Sequence, residues 1–111
     1  MAGSVELMQG TLDFLILKAL TWGPRHGFEV SRWIRDTTDQ ALTIEQGALY
    51  PALHRMEQRG WLEAEWAVTE HHRRAKYYRL TRLGRKQLQA QDADWRRYVA
   101  AVGKILAAAK V

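Results

Sequence analysis

The hydrophobic period of this chain changes at Gly60, and that change constrains the fold more than any other feature. Before Gly60, apolar residues recur at helical spacing; after it, they alternate. In "WLEAEWAV", from Trp61, the residues Leu62, Ala64, Trp66 and Val68 fall on one side and Glu63, Glu65 and Ala67 on the other. "KYYRL" repeats the pattern, with Tyr78 and Leu80 opposite Tyr77 and Arg79. Two alternating runs joined by the polar "TEHHRRA" make an antiparallel hairpin with a long tip.

Three helical segments precede the hairpin. Leu7 to Trp22 is apolar nearly all round (Leu7, Met8, Leu12, Phe14, Leu15, Ile16, Leu17, Leu20), so it needs cover on several sides. Gly23-Pro24 ends it. The second segment runs from about His26 to Asp36, with Phe28, Val30, Trp33 and Ile34 apolar. After a polar connection, Thr37 to Thr43, the third is expected to begin near Thr43, whose hydroxyl pairs with Gln46 in a capping box. It stops at Gly60. Beyond the hairpin, Thr81 caps a long helix from Arg82 towards Lys110.

This is the order of a winged helix-turn-helix, a mostly helical α+β arrangement whose third helix enters the DNA major groove, although many small α+β domains share the order. Residues 1–80 then form the DNA-binding domain and 81–111 a dimerisation helix. With 111 residues there is one modest core. The balance of 17 Lys and Arg against 12 Asp and Glu, a net +5, points towards a polyanion.

Several classes of function are excluded. Without cysteine there are no disulfides or thiolate metal sites. His71 and His72 are adjacent and point to opposite sides of an extended segment, with no further ligand at useful spacing, so no metal or cofactor is expected. There is no phosphate loop and no nucleophile elbow, and Asp92 and Asp94, two apart on a helix, do not face each other. The chain is not expected to be an enzyme. No signal peptide is evident, and the apolar run from Leu12 to Leu20 is broken by Asp13 and Lys18; the expected location is the cytoplasm, away from membranes.

The third helix, "GALYPALHRMEQRGW", contains a puzzle. Gly47 and Pro51 sit inside it although such residues cost a helix about 1 and about 3 kcal/mol. On a helical wheel Leu49, Ala52, Leu53 and Met56 cluster on one side, with Gly47, Pro51, His54 and Gln58 on the other. Pro51 removes the N–H that would bond the Gly47 carbonyl, and glycine adds nothing to the crowding there. Two readings remain open: a flush face for close approach to another surface, or a tolerated kink near a helix start.

From His71 to Gln91 there is no acidic residue, while Arg73, Arg74, Lys76, Arg79, Arg82, Arg85 and Lys86 all fall there. Arg73 and Arg74, at the hairpin tip, would reach phosphates or a narrow minor groove, with Lys76 beside them. Gln46, Tyr50 and His54 are placed to meet base edges and Arg55 a phosphate. A solvated basic surface, and a tyrosine packed at the domain edge, are the plainer alternatives. In the last helix Leu88, Trp95, Val102 and Ala109 are seven apart, with Tyr98, Val99, Ile105 and Leu106 between them. The stripe suggests a homodimer through Leu12, Leu88, Trp95, Val99, Val102 and Leu106, although packing within one chain would give a similar pattern.

The blocks "QGTLDFLILKAL", "HGFEV", "QGALYPALHRMEQRGWLEAEW" and "RRAKYYRLTRLGR" resemble the PadR family of bacterial transcriptional regulators, over about Met8 to Arg85. The resemblance implies a winged-helix homodimer that binds operator DNA, mostly represses, and lets go when an effector binds. It makes Gly47 to Arg59 the recognition helix and so favours the flush-face reading. Many relatives have a glycine-rich wing tip where this chain has His71 and His72. In multidrug-sensing relatives, a tryptophan at what looks like the position of Trp95 lines a cavity on the dimer axis and stacks on planar drugs. With Asp92 one turn earlier, and Arg96 and Arg97 elsewhere on the wheel, the expected inducer is a planar aromatic cation; the plainer alternative is that Trp95 simply fills the dimer core. The rival functions are a winged-helix protein–protein interaction module and a small-molecule binder with incidental DNA affinity.

Overall fold

The helical half of the sequence folds into three helices packed on one another in a computed structural model that describes residues 10–110. They are α1 (Thr11–Ala19), α2 (Gly27–Thr37) and α3 (Gln46–Gln58). Ile16, Leu17, Ala19 and Leu20 of the first helical segment are all buried, under α2, α3 and the long C-terminal helix, which answers the demand for cover on several sides. Leu7 and Met8 lie outside the described residues. Gly10 takes a φ of 86°, so α1 begins at Thr11. It ends at Ala19, short of Trp22, and a turn follows.

The alternating half gives β2 (Leu62–Val68) and β3 (Arg74–Leu80), antiparallel from Leu62 opposite Leu80 to Val68 opposite Arg74. A two-residue strand, β1 (Arg25–His26), pairs with the far side of β3, so the sheet order is β1-β3-β2. Such a short strand has no period to read. His26 ends β1 and also caps α2: its Nδ1 accepts from the Glu29 N–H at 3.3 Å, and its own N–H donates to Glu29 Oε1 at 3.1 Å. That capping box was written as His-x-x-Glu. The alternation of β2 meets the core only at its base. Leu62 is buried, but Trp66 and Val68 on the same face are exposed, because the hairpin outruns the helices.

The start of α3 differs from expectation. Glu45 is the N-cap, and its carbonyl accepts from Ala48 and Leu49, both at 3.0 Å. Gln46 is therefore the first helical residue and not the third residue of a box begun by Thr43. At the other end Gly60 takes a φ of 80°. Its N–H bonds Glu57 O and the Trp61 N–H reaches back to Met56 O, each at 3.0 Å, a closure that favours glycine.

The fourth helix, α4 (Arg82–Ala107), starts where expected: Thr81 Oγ1 accepts from the Gly84 N–H at 3.0 Å and donates to Gly60 O at 2.6 Å. A Cβ on Gly84 would stand 2.0 Å from Trp61 O, so only glycine lets the helix approach so closely. With 26 residues α4 is about 39 Å long. Its first half packs on α1, whereas every residue from Arg96 to Lys110 is exposed. Among the described residues no helix is long and apolar enough to cross a membrane.

Candidate nucleic-acid interface

The two faces of α3 separate as the wheel requires. Leu49, Ala52, Leu53 and Met56 are in the core, while Gln46, Gly47, Tyr50, Pro51, His54 and Gln58 are exposed. A Cβ built on Gly47 would meet nothing within 4 Å. Crowding by the Pro51 ring therefore does not select glycine at 47, and nothing else among the described residues does. What remains is a smooth outward face. Tyr50 flanks it with its ring laid on the first turn of α2, so close that a Cβ on Gly27 would stand 2.6 Å from the ring. Tyr50 thus both packs at the domain edge and presents a surface outward.

Beside this face stands the wing. Its tip, Thr69 to Arg73, closes with the Thr69 N–H on Arg73 O at 2.7 Å and the His72 N–H on Thr69 O at 2.9 Å. Thr69 Oγ1 also accepts from the N–H groups of His71 and Arg73, at 3.2 Å each. The turn needs a left-handed residue, and His72 supplies it with a φ of 61°. His72 takes this conformation without being a glycine, and hydrogen bonds on both sides hold it there.

The four cations of this region are held differently. Among the described residues the Arg73 side chain has no ion pair or ring partner. The Arg74 guanidinium lies over the Trp66 ring, 4.8 Å from its centroid. Lys76 Nζ is bonded to Glu57 Oε1 at 3.0 Å, joining the wing to the last turn of α3. This bond raises the Lys76 pKa above its ordinary 10.5. Arg55 Nη2 is bonded to Asp13 of α1. Lys76 and Arg55, both expected to contact DNA, are therefore first of all struts, and only their remaining N–H groups are available to a phosphate. Arg79 lies on the opposite face of the hairpin and pairs with Glu63 at 2.6 Å.

Between the wing and the helices runs an open groove of about 780 Å³, with Phe28, Arg32, Tyr50, Trp66, Arg74 and Lys76 among its walls. Two of these residues were not singled out by sequence reasoning. Phe28 reads as an apolar core position of α2, yet it is 50% exposed, with the Arg32 guanidinium 5.4 Å from its centroid. Trp66 reads as the buried side of β2 and is 55% exposed. The available signal was an aromatic paired with an arginine four residues on, or diagonally across a hairpin.

The residues assigned to dimerisation and ligand binding divide. Leu88 is buried in its own chain's core and Leu12 packs against that core, so neither is the open seam residue expected. Val99, Val102 and Leu106 are exposed, with Tyr98 and Ile105. Trp95 stacks on Phe14 at 5.9 Å and meets Tyr98 edge-on at 5.7 Å. The acidic mouth expected from Asp92 is not formed as such. Arg96 does not point away: its Nε bonds Asp92 Oδ2 at 2.6 Å, and Lys18 Nζ lies 3.8 Å from Oδ1. Arg96 foremost, then Lys18, hold the Asp92 carboxyl below its ordinary pKa.

Comparison with known proteins gives this arrangement a setting. A family model described as "Transcriptional regulator PadR-like family" matches residues 16–90. An uncharacterized protein of Lysinibacillus sphaericus is 30% identical over 90 residues, 81% of this chain and 83% of that one. A PadR family transcriptional regulator from Eggerthella lenta is 33% identical, with a TM-score of 0.73 over 91% of this chain and 86% of its own. One from Clostridium difficile is 26% identical, with a TM-score of 0.75 over 87% and 99%. Its winged-helix fold and its sequence agree, and the chain belongs to the PadR-like family of transcriptional regulators, DNA-binding proteins and not enzymes.

Proposed function

We propose that this chain is a homodimeric, sequence-specific repressor that releases its operator when a flat aromatic effector binds. The observation that carries the DNA reading is the smooth exposed face of α3, with Gly47 and Pro51, set beside a wing tip bearing the unpartnered Arg73. Gln46, Tyr50 and His54 would meet base edges, with Gly47 and Pro51 admitting the helix to the groove floor. Arg73 and Arg74 would track phosphates and the minor groove, and Arg55 and Lys76 would add phosphate contacts from their struts. Residues 1–80 serve as the DNA-binding part, working on cytoplasmic DNA.

Residues 81–111 serve as the dimer helix. The fifteen exposed residues from Arg96 to Lys110 include Tyr98, Val99, Val102, Ile105 and Leu106, and a second copy offers the same apolar surface in return. A twofold axis there would set two recognition helices on half-sites about 34–36 Å apart. Trp95, on its Phe14 and Tyr98 neighbours, is the platform for the effector. Because Asp92 is already compensated by Arg96 and Lys18, ring stacking and not carboxylate attraction would select the ligand.

Selection from a random DNA pool, followed by a gel shift across salt concentrations, tests the reading. Specific binding whose log affinity falls linearly with log salt is expected. A protein–protein module would show no such dependence, and a ligand carrier no preferred sequence. Sedimentation should show a dimer at micromolar concentration, split by Val102→Asp. Planar aromatics should quench Trp95 and weaken operator binding; Trp95→Ala should remove that response, and Trp95→Phe should keep part of it.

A further inference from the structure

The wing carries one arginine that is free and one that is held. Arg73 has no side-chain partner among the described residues, while the next residue, Arg74, stacks 4.8 Å from the Trp66 centroid. The sheet register explains the contact. Arg74 faces Val68 and Lys76 faces Trp66, so Arg74 and Trp66 are diagonal neighbours on one face, within reach for long side chains. Lys76, directly opposite the indole, extends its amine to Glu57. Trp66 takes no part in the core. A large indole left in the open, with a guanidinium over it, holds something other than the core.

We propose that Trp66 is the positioning residue of the wing: it fixes Arg74 as the arginine that reads the operator's shape and sequence, and leaves Arg73 to neutralise phosphate. This rests on the DNA-binding reading above. Stacking on an aromatic face occupies the flat side of a guanidinium and leaves its N–H edge free to donate. It also removes, before DNA arrives, part of the rotamer freedom that a free arginine loses on binding. A narrow minor groove attracts arginine by its negative potential, and an arginine held in one place responds to groove width more sharply than a mobile one. Arg73, mobile, adapts to any phosphate in range.

The test is a double-mutant cycle in the full chain on its selected operator, by fluorescence anisotropy over a salt series. Trp66→Ala should weaken operator binding about fivefold, or about 1 kcal/mol, with the salt slope unchanged. Trp66→Phe should keep most of the affinity. Arg74→Lys keeps the charge but not the planar stack, leaves the hairpin alone, and should behave as Trp66→Ala does. In an Arg74→Ala background, removing the indole should have no further effect. Equal losses from Trp66→Ala in both backgrounds would overturn the proposal, since the indole would then act directly or as a support for the hairpin. Parent-like binding by Arg74→Lys would overturn it too, even if Trp66→Ala proved unstable. A parent chain without salt-dependent sequence preference would remove the DNA reading itself, and this role with it.

Discussion

Replacing Gly47 with leucine should make the protein more stable and unable to find its operator. A side chain at 47 would enter open space: apart from the adjoining backbone, no atom of the described residues lies within 4 Å of a Cβ placed there. A glycine in a helix interior costs about 0.5–1 kcal/mol relative to alanine, and leucine is nearly as good a helix former; Gly47, the second residue of α3, costs about half of that. The variant should therefore gain about 0.3–0.5 kcal/mol, seen as a rise of about 1–2 °C in Tm at fixed protein concentration. Binding should move the other way. The face shared by Gly47 and Pro51 has almost no relief, and four added carbons would hold α3 off the bases. Specific affinity would then fall to the non-specific level, a loss on the order of a thousandfold or more. Alanine, adding one carbon, should lose less and gain the same stability. Thermal melts followed by circular dichroism give the first quantity and salt-matched anisotropy the second. A leucine variant that is stabilised and still binds its operator as the parent does would show that this face does not approach DNA closely.

Other outcomes follow from single contacts. Gly84→Ala should destabilise the fold by about 2–4 kcal/mol in urea melts, because its Cβ would stand 2.0 Å from Trp61 O, a backbone atom that cannot yield cheaply. His72→Gly should stabilise the chain by about 0.5–1 kcal/mol, since glycine takes the left-handed turn without the strain the histidine bears at a φ of 61°; a loss of stability would mean that the imidazole makes a compensating contact. Stability should fall as pH rises above 10. The raised Lys76 contributes fully below its unfolded value of 10.5 and loses that contribution as pH passes its folded value; burial raises Tyr78 above 10.0, so the unfolded chain ionises first. Glu57→Gln should flatten this alkaline loss, as denaturant melts between pH 8 and 11 would show.

Long patterns were legible and short or borrowed contacts were not. The faces of α3 and the pairing of β2 with β3 follow from periodicity sustained over several turns or alternations, because one face of each is bound to the core. β1 has two residues and no period at all. Thr43 and Gln46 match a capping box and so place the start of α3 early, whereas the helix begins at Gln46 on the Glu45 backbone, and the Glu45 side chain makes no cap. Leu88 and Val102 share a heptad position, yet one is core and the other surface. A stripe says which residues align, not what covers them. Arg55 and Lys76 read as phosphate contacts, and Lys76 proves half-buried; their acceptors, Asp13 and Glu57, lie 42 and 19 residues away, beyond any local pattern. Trp66 escaped notice because alternation marks a side of a strand and not where the core stops.

At the joint between α3 and α4, Thr81 Oγ1 donates to Gly60 O, the Thr81 N–H to Trp61 O, and Gly84 closes on the same carbonyl. The end of α3 and the root of the long helix are thereby riveted across one turn of backbone. These contacts couple the two helices directly, and a rotation of one should carry the other with it. A helix of about 39 Å then acts as a crank: a tilt of about 5° at its root swings its far end by about 3 Å. In the proposed dimer, clasped by those far ends, small displacements there would turn both α3 helices at once. Half-site separation would then be a matter of leverage, set by how the two cranks cross.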